Sequence, residues 1–272
     1  MAFTVGVSHH PLPTHAVGEV IGQVLDLLGE PPDLALLFVT AGFAGAMEDV
    51  AATVRQLLAP GALIGTTATA LLAGRREIEH EDAIVLFAAS WGRRLRRDAV
   101  ATVHLDATRD GDGWRVVGDH DLDRPGTLVL LADPYSFPTE RFVEELGLRS
   151  PGLAVVGGLA SAGQGAGANR LVAGTNVRDR GAVGIHLPEG VPVRAVVSQG
   201  CRPVGEPLVV TRATGNLIEE IAGMPALDRV LATADAASPE DRALMAGSIQ
   251  VGLAVDERVV EFRPGDPLTR QV

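Results

Sequence analysis

The chain has 272 residues, a net charge of −11 and one cysteine, Cys201. That length buries a core without help from disulfides or metals, while the acidity disfavours phosphate backbones and the lone thiol excludes an intrachain disulfide or a CxxC site. All 23 basic residues are arginine, which excludes Schiff-base chemistry on a lysine and a Walker A phosphate loop. No apolar run approaches the roughly 18–20 residues of a membrane span. The opening MAFTVGVSHHPLP lacks the basic and long apolar regions of a signal peptide. A cytoplasmic protein without a membrane or nucleic-acid partner is expected.

Phe3–Val7 reads as a short strand. The 3.6-residue spacing of Val17, Val20, Ile21, Val24, Leu25 and Leu28 predicts a helix over Ala16–Leu28, with Thr14 as its cap and Gly29 and Pro31-Pro32 as its stop. Leu34–Val39 is a continuous apolar run and predicts a buried strand. Met47–Leu58 reads as a second helix, and Ala62–Thr66 as a strand that leads into small residues. Arg75–Glu79 and Ala83–Ala89 read as two strands about an acidic turn, Thr102–Leu105 as a short strand, and Gly111–Gly113 as a turn.

The order then recurs. Thr127–Leu131 predicts a strand, Pro138–Leu146 a helix, and Leu153–Val156 a strand that opens into GGLASAGQGAG. Arg170–Val172 and Val177–Arg178 read as edge strands, and Ala182–Leu187 and Val193–Val197 as further strands. Leu34 aligns with Leu128, Ala62 with Ala154 and Ala83 with Ala182, at nearly constant spacing. The reading is an internal repeat of strand-helix-strand modules, spanning about 33–105 and 127–197, in an α/β fold with mixed sheets. A smaller α+β segment follows, with helices over Asn216–Met224 and Pro225–Thr233 and a third opened by Ser238 as cap and Pro239 at its first position. Gly247–Val255 reads as a strand, and the polar tail beyond it as frayed.

Few residues carry distinctive chemistry. His9, His10 and His15 lie in a proline-bounded segment and match no metal-ligand spacing. His80, His104, His120 and His186 stand singly. Ser161 has Leu159 where a nucleophile elbow needs glycine, and no helix signal follows it. Gly163, Gly165 and Gly167 form GxGxG without the helix a dinucleotide fold requires, although such a loop still offers backbone N–H groups to an anion. Cys201, beside Arg202, is the one intrinsic nucleophile, but no histidine stands near it in sequence. The carboxylates Asp106, Asp110, Asp112, Asp119, Asp121 and Asp123 read as solvated, as does the run Arg93, Arg94, Arg96 and Arg97.

The segments LVLLADPYSFP, LAVVGGLASAGQGAGANRL, GAVGIHL and VVSQGCRPVGEPLVVT, taken together, resemble the FIST sensory domain of F-box and intracellular signal transduction proteins. LALLFVTAGF, ALIGTTATALLAGRREIE and AIVLFAA resemble the earlier part of the same domain, and GNLIEEIAGMPAL and GLAVDE the opening of the family's carboxy-terminal domain. The resemblance implies an amino-terminal-type domain over 1–215 and a truncated carboxy-terminal-type domain over 216–272. It also implies a bacterial small-molecule sensor acting with a signalling protein, its ligand an amino acid or another small carboxylate, with no metal, no cofactor and no enzymatic activity. Ala222 departs from the family, where an acidic residue is common before GMPA.

Ligand contacts are expected from Gly157, Gly158, Ser161, Asn169, Arg170, Ser198, Gln199, Cys201 and Arg202. Arg75, Arg76, Arg170 and Arg202 are candidate carboxylate clamps. The loops Gly65-Thr66-Thr67 and Gly157–Ser161 are expected to lie together if the copies pair. A cysteine-dependent enzyme using Cys201 and a protein–protein module without ligand are the alternatives.

Overall fold

The structure is a computed structural model and describes residues 2–92, 100–111, 113–118, 121–195, 203–214, 217–246, 249, 252–254 and 268–271. The chain divides into two compact units, Met1–Arg194 and Ala195–Val272.

In the first unit, β1 (Ala2–Ser8), α1 (Pro13–Leu28) and β2 (Leu34–Thr40) come first. A 3-10 turn over Ala41–Ala46 then enters α2 (Met47–Thr53), which ends in a π-type turn over Val54–Leu58. β3 (Ala62–Ala68), the hairpin β4 (Leu71–Ala73) and β5 (Arg76–Ile78), and β6 (Ile84–Ser90) complete this half. The second half runs β7 (Ala101–Asp110), β8 (Gly113–Gly118), β9 (Gly126–Ala132), α3 (Thr139–Arg149), β10 (Leu153–Leu159), β11 (Leu171–Ala173), β12 (Asn176–Arg178) and β13 (Ala182–Pro188).

These strands form two main sheets, ordered β1-β6-β2-β3-β11-β12 and β10-β9-β13-β7-β8. In each, one crossover through a helix makes a parallel pair, β2 with β3 and β9 with β10, while the neighbouring pairs are antiparallel. The runs β1-β6-β2-β3 and β7-β13-β9-β10 therefore share both order and sense. Gly65 pairs with Leu37 at the fourth rung of one parallel pair, and Gly157 with Leu130 at the fifth rung of the other. At both, a Cβ would strike the carbonyl of the facing leucine, so the strands approach as closely as glycine allows.

Period-2 alternation sorts the side chains into layers. Ala35, Leu37 and Val39 of β2 face α1 and α2, whereas Leu34, Leu36 and Phe38 face the second sheet. On β9, Val129 and Leu131 face the first sheet, and Leu128, Leu130 and Ala132 face Phe142 and Leu146 of α3. The result is helix on sheet on sheet on helix, an α/β fold with mixed sheets.

Several local readings change. Helix α1 begins at Pro13 with Leu12 as its uncapped N-cap, so Thr14 sits inside the first turn; Gly29, at φ 69°, ends the helix as expected. Strand β7 runs to Asp110 and turns into β8, a strand that the short GWRVVG did not signal; Arg109 stacks on Trp114 at 4.9 Å. β11 is not an edge strand. It lies between β3 and β12, and Leu171, Val172 and Ala173 are buried, because the hairpin crosses from the second half onto the first sheet.

The second unit holds β14 (Val210–Thr214), β15 (Leu217–Ile221), β16 (Met224–Pro225), α4 (Ala226–Ala236), α5 (Pro239–Met245), β17 (Gly252–Ala254) and β18 (Leu268–Gln271). The helix expected over Asn216–Met224 is instead β15, a two-residue turn and β16. Ala222 and Gly223 both have positive φ, 50° and 75°, which no α-helix accommodates and which suits a tight hairpin turn. Ser238 does cap α5, its Oγ accepting from the Asp241 amide at 3.1 Å. Of the strand expected over Val193–Val197, residues 193–195 form none and Val196 and Val197 lie outside the described residues; of the strand expected over 247–255, the described residues Gly252–Ala254 form one, and β18 pairs with β17 where a frayed tail was expected. Arg93, Arg94, Arg96, Arg97, Asp112, Asp119 and His120 lie outside the described residues.

Candidate functional site

The loop over residues 160–170 leaves the carboxyl end of β10 in one sheet and enters β11 beside the carboxyl end of β3 in the other. Hydrogen bonds join the two ends. The Ala160 amide donates to the Ala132 carbonyl at 2.9 Å and so extends the β9–β10 ladder by one residue. The Ser161 amide donates to the Thr67 carbonyl at 3.2 Å. Ser161 Oγ accepts from the Thr69 amide at 3.1 Å, and the Thr69 hydroxyl donates to the Ser161 carbonyl. The Arg170 amide donates to Thr67 Oγ1 at 3.0 Å, and the Thr67 amide returns a bond to the Arg170 carbonyl at 3.1 Å. The two small-residue loops aligned in the sequence thus meet.

Asp133 anchors this junction from below. It follows β9 directly and is fully buried. A buried carboxylate is costly unless donors surround it. Here Asn169 Nδ2 donates to Oδ1 at 2.9 Å and the Ser136 hydroxyl donates to Oδ2 at 2.6 Å. The Gly181 amide donates to Ser136 Oγ at 2.9 Å, tying in the turn before β13. Asn169 is itself fully buried, and its Oδ1 accepts from the Gly163 amide at 2.9 Å. Both ends of this amide are engaged inside the protein, so it shapes the loop and has no surface left for a ligand.

Arg170 is half-buried at the loop's end. Its Nη1 donates to the carbonyls of Gly167 and Asn169, both at 2.8 Å, which fixes the guanidinium plane. Among the described residues no carboxylate pairs with it. It lines a cleft of about 420 Å³ with Glu48, Val177, Arg178, Asp179 and Arg180. Arg178 is held by Asp106 at 2.9 Å, and Arg180 lies 3.3 Å from Asp179. Glu48 comes from the first turn of α2, so the cleft sits beyond the carboxyl ends of β2 and β3, where open α/β sheets take their ligands.

The other expected residues fall elsewhere. Gly157 and Gly158 lie within β10, the first packed against Leu130 and the second facing open space. Arg75 and Arg76 stand exposed around the β4–β5 turn and do not line the cleft. Ser198, Gln199, Cys201 and Arg202 lie outside the described residues. His10 stacks on His15 at 4.7 Å and His9 Nδ1 lies 3.2 Å from Glu81. Among the described residues no group of three His, Cys, Asp or Glu side chains could hold a metal, and no helix is long and apolar enough to cross a membrane. Asp133, Glu48 and Asp179 were not singled out in the sequence. For Asp133 the signal was there, an acidic residue placed directly after the apolar run LVLLA.

Fold and junction define an α/β module that gathers a polar cleft at the ends of paired strands. Residues 33–224 match the FIST N domain, and the chain belongs to the FIST family, a sensory family of signal transduction. It is 40% identical over 275 residues to uncharacterized proteins of Mycobacterium bovis and Mycobacterium tuberculosis, an alignment that covers 99% of this chain and 69% of each relative. A further uncharacterized Mycobacterium tuberculosis protein is 37% identical over 277 residues with the same coverage.

Proposed function

We propose that the protein is a bacterial, cytoplasmic sensory module whose two halves arose by duplication, and that it binds a small carboxylate metabolite, such as an amino acid, in the cleft beside Arg170. The observation that carries this reading is the Arg170 guanidinium, oriented by two carbonyls and without a carboxylate partner among the described residues. Arginine so held can pair a carboxylate in two-point fashion. Glu48 and Asp179 stand in the same cleft and suit an ammonium group. Binding there would bias the loop over 160–170, because the same residue links Thr67 of one sheet to the loop of the other. A partner signalling protein would read that change. Ser161 contributes by holding the loop against Thr69, and the glycines at 165 and 167 keep the backbone accessible.

The test is thermal unfolding against a panel of amino acids and dicarboxylates, repeated with Arg170→Lys and Glu48→Gln. A ligand at 100 times its Kd stabilises by about 2.7 kcal/mol, which raises Tm by roughly 5–10 °C in a unit of this size. The gain should fall in both variants. Absence of any gain across the panel, or a gain unchanged in both variants, would overturn the proposal.

A further inference from the structure

Most of the cleft is built at the base of one hairpin. β11 and β12 leave the second half and join the first sheet, where β11 pairs with β3. Arg170 stands directly before β11, Arg178 ends β12, and Asp179 and Arg180 follow it. The direction of these four side chains therefore depends on how the two stems of the hairpin, 167–170 and 179–181, are held against the second half.

A single carboxylate holds both stems. Asp133 Oδ1 accepts from Asn169 Nδ2 at 2.9 Å, on the incoming stem, and Oδ2 accepts from the Ser136 hydroxyl at 2.6 Å. Ser136 Oγ accepts from the Gly181 amide at 2.9 Å, on the outgoing stem, and the Asp133 amide donates to the Gly181 carbonyl at 2.9 Å. Gly181 is thus bonded on both sides to the turn over 133–136. It has φ 79°, and a Cβ there would lie 2.4 Å from the Leu105 carbonyl oxygen, so this stem has little room to rearrange.

The incoming stem passes the constraint to the cleft. Asn169 is bonded to Asp133 through its side chain, and its backbone carbonyl accepts from Arg170 Nη1 at 2.8 Å. The stems also meet beside the cleft, where Asp179 Oδ2 lies 3.6 Å from the position a Cβ on Gly167 would take. Asp133 and Asn169 are fully buried. Hydrogen bonds to a buried carboxylate are strong and directional, and a fully satisfied buried network favours one arrangement.

We infer, on the reading of the cleft as a carboxylate site, that Asp133 is its positioning residue. Its two oxygens fix Arg170 on one stem relative to Asp179 and Arg180 on the other. That spacing selects the ligands whose carboxylate and ammonium groups fit between them, although Asp133 itself touches no ligand.

Phenylglyoxal adds to accessible guanidinium groups, so peptide mass mapping of the labelled protein reads Arg170 without any ligand. Amide exchange reads Gly181. Asn169→Ala should raise the labelling rate of Arg170 about fivefold and leave Gly181 exchange slow. Ser136→Ala should speed Gly181 exchange and leave Arg170 at the parent rate. Asp133→Asn keeps the shape of the side chain but replaces one acceptor by a donor, and should move both readings. Val24→Ala, a cavity in α1 with no part in the cleft, should leave Arg170 labelling unchanged despite its loss of stability. L-glutamate serves as the probe ligand. It should slow Arg170 labelling in the parent, and do so less at the same concentration in Asp133→Asn. Unchanged labelling in Asp133→Asn, or an equal rise in Val24→Ala, overturns the assignment. If Asp133→Asn does not fold, the single-stem variants decide: an Arg170 rate that rises in Ser136→Ala, or stays fixed in Asn169→Ala, overturns it as well. Both readings moving in Asp133→Asn, with no protection by L-glutamate in the parent, supports the positioning role and counts against the carboxylate reading instead.

Discussion

Replacing Gly157 with alanine separates a glycine required by backbone approach from its neighbour, which is not. At Gly157 the backbone has φ 151°, a region that L side chains rarely adopt, and a Cβ would lie 2.7 Å from the carbonyl carbon of Leu130 and nearer still to its oxygen. Relief requires β10 to move away from β9 or rotate about it, which breaks part of a seven-residue parallel ladder. Overpacking and strained backbone together cost about 3–4 kcal/mol. Gly158, one residue on, has nothing within 4 Å and no positive φ. Alanine there should be neutral or stabilise by about 0.5–1 kcal/mol, because the unfolded chain loses freedom. For a unit of this size 1 kcal/mol moves Tm by about 2–4 °C. Gly157→Ala should therefore lower Tm by roughly 6–16 °C, and Gly158→Ala should leave it unchanged or raise it slightly. Differential scanning calorimetry of the two variants beside the parent decides this. Equal effects at the two positions, or a harmless Gly157→Ala, would refute the close-approach argument.

Asn169→Ala removes one donor from the buried Asp133 carboxylate and strands the Gly163 amide; a loss of about 2–3 kcal/mol is expected in urea unfolding. Ala222→Asn replaces a residue held at φ 50° by one that tolerates left-handed backbone, and should stabilise the β15–β16 hairpin by about 1 kcal/mol, seen as slower amide exchange at Ile221 and Met224. Ser238→Ala deletes the cap on the Asp241 amide, and should cost α5 about 1 kcal/mol, seen as faster exchange at that amide.

The sequence by itself determined what depends on near neighbours along the chain. The spacing of Val17, Val20, Ile21 and Val24 made α1, and their burial against the first sheet follows from it. Apolar runs marked β2 as a buried strand and β9 as a strand, and the recurrence of small-residue loops marked β3 and β10, which hold equivalent places in the two sheets. It also marked Arg170, which among the described residues is the one expected ligand residue that lines the cleft. Ala222 was visible as a departure from the family, but its meaning was not. Only the hairpin register revealed that the position has positive φ, where Asp or Asn is less strained than alanine. Tertiary structure decided what depends on distant partners. Leu171–Ala173 contains nothing to say that it would pair with β3 of the other half, since backbone hydrogen bonds do not identify their partner strand. The cleft likewise brings Glu48 of the first half to Arg170 and Asp179, which flank one hairpin of the second. Asn169 resembled a ligand contact because an uncharged polar side chain beside an arginine suits one. The fold buries it because the Asp133 carboxylate, itself buried behind β9, needed a donor more than a ligand did.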